Sequence, residues 1–113
     1  MNKQEYWKNI NDPSQKVCFE LGVLSKKIVN IESVKSSTPF TDKLKLDELN
    51  LEKLQKLYSK VINKLNKFGV MENNNKLCES ISGNFTKSLS DWSLDNDDIR
   101  YYFTLGFTLE QKY

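Results

Sequence analysis

NLEKLQKLYSKVINKLNKFG, residues 50–69, is the stretch that decides the fold. Leu51, Leu54, Tyr58, Val61, Leu65 and Phe68 recur three and four residues apart, the spacing of one face of a helix. Asn50 is a residue type whose side chain accepts from the free amides of a first helical turn. Gly69 supplies the left-handed residue on which many helices end. The sequence therefore predicts a helix over 51–68 with both of its ends specified.

The same reasoning extends outward. Asp12-Pro13 is a start signal, and Val17, Leu21, Leu24, Ile28 and Ile31 follow at helical spacing, predicting an amphipathic helix over about 13–33. Residues 33–40 read as a loop, because Pro39 pushes the residue before it out of helical geometry. Thr38-Pro39 is predicted to cap a short turn running to about Leu44. Downstream, Cys78, Ile81 and Phe85 predict a helix over about 75–89, weakened by Gly83. A last helix starts near Asp95, with Asp95, Asp97 and Asp98 placed where the helix dipole favours negative charge. Its face is Ile99, Tyr102, Phe103, Gly106 and Leu109. A glycine inside a helix costs about 1 kcal/mol against Ala. Gly106 therefore predicts a close approach of another backbone, and Gly22 is placed to play the same part.

No stretch alternates with period two. The expected fold is all-α, a compact bundle of four main helices with short connecting turns. It forms one domain, 1–113, in which 1–12 is a short arm or helix. Leu21, Leu24, Ile28, Leu54, Val61, Leu65, Ile81, Phe103 and Leu109 are its predicted core.

Composition narrows the function. The 113 residues are 38% apolar and 28% charged, an ordinary globular balance. Cys18 and Cys78 both lie in apolar-periodic stretches and read as buried free thiols. There is no His and no cysteine pair at ligand spacing, so no metal and no cofactor is expected. No phosphate-cradling glycine loop or nucleophile elbow is present, and the chain is not expected to be an enzyme. Nor is there a signal sequence or membrane span, which makes the cytoplasm the expected location.

The net charge of +2 is unevenly spread. Residues 16–67 carry eleven Lys against six acids, whereas 68–113 carry four basic residues against seven acids. Lys53, Lys56, Lys60, Lys64 and Lys67 lie on the 51–68 helix, pointing about 130° away from its apolar stripe. They form a ridge about 20 Å long. Such a ridge suits a phosphate backbone, which lysines hold as point charges without reading bases. A solvated helix face carries the same residues. Lys26 and Lys27, and Lys43 and Lys45, extend the patch if packing brings them alongside. The aromatics Tyr101, Tyr102, Phe103, Phe107 and Tyr113 can stack on bases, but more commonly such residues are core or interface. The acidic run at 94–98 lacks the glycine and distal glutamate of a calcium loop and reads as helix capping.

Several segments, in order, resemble a known family. They are FELGVL at 19–24, KKIVNIES after it, STPF at 37–40, KLKLDELNLEKLQKLY at 43–58, VINKLNKF at 61–68 and DNDDIRYYFTLGFTLEQ at 95–111. Together they are similar to the C-terminal helical region of the large subunit of type I-B CRISPR Cascade, which in that family also yields a free small subunit from an internal start. The resemblance implies a non-catalytic small subunit of the interference complex. Its implied partners are the large subunit, the repeated backbone subunits, other copies of itself, guide RNA and target DNA. It would hold the guide–target duplex and the displaced strand by backbone contacts, with no small-molecule substrate. Two other readings stand beside it, a small helical inhibitor of the immunity type and a homo-oligomeric structural protein. Immunity proteins against nucleases usually present acidic faces, and the face here is basic.

Overall fold

In the computed structural model, which describes residues 10, 12–35 and 39–108, the helices are α1 Pro13–Lys35, α2 Pro39–Lys43, α3 Leu51–Lys67, α4 Asn75–Ser88 and α5 Asn96–Thr108. Short 3-10 turns at Leu46–Glu48, Glu72–Asn74 and Leu89–Asp91 join them. The described residues contain no strand. The all-α fold is as the sequence predicts.

Three of the start signals act as capping residues. The Asp12 carboxylate accepts from the Gln15 amide at 3.1 Å, the Asn50 side chain from the Lys53 amide at 2.9 Å, and the Asp95 carboxylate from the Asp98 amide at 2.8 Å. The end of α3 is equally well specified. Gly69 has φ of 71°, the Val70 amide reaches back to the Leu65 carbonyl at 3.0 Å, and the Gly69 amide reaches that of Asn66 at 3.1 Å. This reverse pair of bonds satisfies carbonyls that the helix end would leave bare. Thr38 lies outside the described residues, as does most of the predicted 1–12 arm. Ile10 alone of that arm's apolar residues is described, and it is buried against Phe19 and Val23.

α1 departs from its expected amphipathic form. It runs two residues longer than predicted, and every residue from Val17 to Ser25 is buried. α5 lies along it in the broadest contact of the fold, α4 covers a second side, and α2 and α3 approach a third. A helix enclosed in this way has no single solvent face, so its apolar stripe under-reports its burial. α3 is the opposite case. It lies at the periphery and buries one face, through Leu54, Leu57, Val61 and Leu65. The predicted core residues Leu21, Leu24, Ile28, Leu54, Val61, Leu65, Ile81 and Phe103 are all fully buried, joined by Phe40, Leu49, Leu57 and Ile99. Leu109 lies outside the described residues. Cys18 and Cys78 are free and buried, and burial pushes both thiols up. No helix among the described residues is long and apolar enough to cross a membrane.

The two helices in broadest contact meet at their glycines. A methyl group built on Gly22 would collide with the Phe103 carbonyl oxygen and lie 2.9 Å from the Phe107 nitrogen. One built on Gly106 would collide with the Phe19 carbonyl oxygen and lie 3.1 Å from the Val23 nitrogen. The close approach expected of both residues is thus a single contact, each glycine making room for the other's helix. Gly83, in α4, meets nothing within 4 Å.

One charge is buried on the α4 side of α1. The Glu20 carboxylate receives the Ser80 hydroxyl at 2.8 and 2.9 Å, and Asn84 donates to that hydroxyl oxygen at 3.3 Å. Burial pushes Glu20 up to about 7, against the smaller opposing pulls of Ser80, Lys16 and Asn84.

Two outcomes follow. Gly106→Ala should lower stability in urea melts by about 1–3 kcal/mol or more, because two backbones must separate. Gly83→Ala should raise it by about 0.5–1 kcal/mol. Equal effects at the two positions would contradict the helix contact. For Glu20, the folded chain keeps its proton to a higher pH than the unfolded chain, so stability falls as pH rises from the ordinary glutamate value of 4.5 to about 7. Glu20→Gln, always neutral, should match the parent near pH 4.5 and exceed it by roughly 2–3 kcal/mol at pH 8. A pH-independent difference between the two would show that Glu20 does not titrate this way.

Candidate nucleic-acid interface

The segment from Pro39 to Leu49, made of α2 and the 3-10 turn Leu46–Glu48, forms one wall of a groove whose other wall is α3. Its position is set by Glu32, near the end of α1. The Glu32 carboxylate accepts from the Phe40 amide at 3.1 Å, the Thr41 amide at 3.0 Å and the Thr41 hydroxyl at 3.0 Å. It thereby satisfies amides at the start of α2. The same carboxylate pairs with Lys64 of α3 at 3.3 Å, where the Glu32 side chain is 1% exposed and that of Lys64 is 20% exposed. Burial alone would raise the Glu32 acid. The Thr41 and Phe40 hydrogen bonds and Lys64 outweigh it and hold the group below its ordinary value. One carboxylate thus fastens both walls to α1.

Two adjoining clefts run along this groove. The first, about 290 Å³, has an apolar floor of Pro39, Phe40, Leu44 and Leu57, with Lys43, Lys60, Asn63 and Lys64 around it. The second, about 280 Å³, is lined by Lys43, Lys45, Lys53, Lys56 and Lys60, with Leu44, Leu49, Leu57 and one acid, Glu48. Lys43, Leu44, Leu57 and Lys60 belong to both, so the clefts are continuous.

The five lysines of the predicted ridge therefore differ in kind. Lys53 pairs with Glu48 at 3.5 Å and Lys56 with Glu52 at 3.2 Å. These are exposed pairs, worth about 0–1 kcal/mol and readily exchanged for a phosphate. Lys64 is turned inward to Glu32 and also lies 5.8 Å from the Phe68 ring centre. Lys60 and Lys67, together with Lys43 and Lys45, make no ion pair with a described residue.

Packing brings Lys43 and Lys45 alongside the ridge, but not Lys26 and Lys27. Lys26 sits 5.1 Å from the Phe107 ring centre of α5, and Lys27 donates to the Asn74 side chain at 3.0 Å beside α4. Neither lines the groove. Helical rotation accounts for this, since both point more than about 100° away from Glu32, which faces the groove.

The aromatic cluster is mostly structural. Phe103 is buried and stacks with Phe107 at 6.1 Å, Tyr102 is half-buried, and Tyr101 is exposed. Tyr113 lies outside the described residues. The acidic run caps α5, as expected.

The arrangement offers cations along a groove with an apolar floor. A family model described as CRISPR-associated protein TM1802 (cas_TM1802) C-terminal domain matches residues 2–113. No curated protein and no solved structure matches the chain.

Proposed function

The chain belongs to the CRISPR-associated TM1802 C-terminal-domain family, and from that premise we propose that it is a non-catalytic small subunit of a type I-B Cascade interference complex. In this reading it works in the cytoplasm beside the large subunit, the backbone subunits and other copies of itself. It holds guide RNA, target DNA and the displaced strand by their backbones, while base pairing supplies sequence specificity. The observation that carries the reading is the groove in which Lys43, Lys45, Lys53, Lys56 and Lys60 converge from two segments of chain. Periodicity alone accounts for lysines on a solvated helix face. It does not account for lysines on the opposite wall.

Each contact is weak alone, and the sum depends steeply on salt because every phosphate neutralised releases counterions. Lys43, Lys45 and Lys60 replaced together by Glu in the reconstituted effector should weaken target-DNA binding. The salt slope should become shallower by up to about 3. Unchanged affinity and slope, with the complex still assembled, would make the groove a solvated surface and place the contacts elsewhere. Lys64 is left out of that set because its charge serves the fold. Lys64→Met should cost on the order of 2 kcal/mol in a urea melt, and Lys60→Met no more than about 0.5 kcal/mol.

A further inference from the structure

Phosphate binding explains the lysines but leaves the apolar floor without a purpose. The first cleft has the exposed Pro39 and the half-buried Leu44 over the nearly buried Phe40 and Leu57, between Lys43 on one wall and Lys60 on the other, and among the described residues no carboxylate lines it. Its volume of about 290 Å³ matches the low end of small-ligand pockets, which begin at roughly 300 Å³. We propose that this cleft receives a single unstacked nucleobase of a single strand whose phosphates follow the lysines of both clefts. The inference rests on the nucleic-acid reading above and adds to it a preference for single strands.

Three features support the assignment. A duplex keeps its bases stacked inside and presents only backbone to a protein groove, so it has nothing to place on an apolar floor. A single strand carries one flat apolar group per phosphate, and apolar surfaces hold such groups without regard to sequence. The cleft is also pre-formed. Glu32 joins Phe40 and Thr41 on one wall to Lys64 on the other, which fixes their separation before any ligand arrives. Finally, Asn63 stands at the rim with both a donor and an acceptor, able to meet the edge of any base. The second cleft continues the cationic lining with Lys45, Lys53 and Lys56, where neighbouring phosphates would lie. An acidic protein segment with one apolar anchor is the competing occupant. A lining of lysines that repeats along both clefts favours a polymer with a charge on every unit.

The test uses the full chain at low salt and fluorescence anisotropy. The probes are an oligothymidine strand, an abasic strand of the same length and charge, and a duplex. The intact strand should bind roughly 5-fold or more tightly than the abasic strand. A strand carrying one 2-aminopurine should brighten on binding, as that base leaves its stack. Leu44→Trp, which fills the cleft, should bring the ratio of intact-strand to abasic-strand affinity close to one. Should that variant fail to fold, the abasic and 2-aminopurine comparisons on the parent chain decide the matter alone. Equal affinities and salt slopes for intact and abasic strands would overturn the base-binding inference while the phosphate reading survives. No binding of any of the three probes would overturn both. Binding of a charge-matched acidic leucine peptide that Leu44→Trp abolishes, with strand affinities unchanged, would assign the cleft to a protein partner instead.

Discussion

Two backbones in contact hold this fold together. Gly22 and Gly106 remove the side chains that would separate α1 from α5, and each helix settles onto main-chain atoms of the other. Side-chain packing tolerates conservative exchange, because neighbouring rotamers adjust. A carbonyl oxygen in a helix cannot move without its hydrogen bond. The contact therefore fixes the axis of α1, and α1 in turn sets where every other described helix can lie. Phe103, one turn before Gly106, is fully buried as a result, and Phe19 is held on the far side of the same crossing.

The groove depends on α1 as well, through Glu32. A buried carboxylate is costly unless its oxygens are matched by donors, and here two amides, a hydroxyl and an ammonium meet it. Their combined pull keeps the group ionised despite burial, the reverse of Glu20 twelve residues earlier in sequence. Among the described residues Glu20 accepts from one hydroxyl and pairs with no ammonium, and burial raises it to about 7. The contrast shows how desolvation on one side, and the number and kind of donors on the other, decide the charge state of a carboxylate on one helix.

Peripheral elements were the most legible from sequence. α3 buries one face only, so its periodicity, its Asn50 cap and its Gly69 end could all be read directly. α1 could be located but not understood. Its stripe of Val17, Leu21, Leu24 and Ile28 is real, yet Cys18, Phe19 and Val23 are equally buried because α5 covers the other side. The paired glycines were legible as a demand for close approach, through the cost of Gly106. The candidate site was less visible. The lysine ridge followed from helical spacing, but the opposite wall did not, because residues 39–50 have no period to read. Glu32 looks like an ordinary surface acid near a helix end. Its donors follow Pro39 and face it only once the chain has turned back. Whether Lys26 and Lys27 extend the ridge depends on packing, for a related reason. Their angle around α1 is known from sequence, but which neighbour covers that angle is not.

The crossing of α1 and α5 also bears on how the chain is made. α1 lies near one end of the described chain and α5 at the other, so the ribosome produces the central helix early and its principal cover late. Until residues 96–108 have been synthesised, the surface around Phe19, Gly22 and Val23 lacks its principal cover, with Ile10 and later Leu77 packed against part of it. A nascent chain in that interval has a largely apolar helix with one side open. The contact with α5 can form only after that helix is made, and it carries the loop-entropy cost of joining distant segments. A helical protein of this size would ordinarily be expected to form through local contacts as it emerges. Here the broadest contact joins helices far apart in the chain, and until it forms the uncovered side of α1 is apolar surface of the kind that chaperones hold.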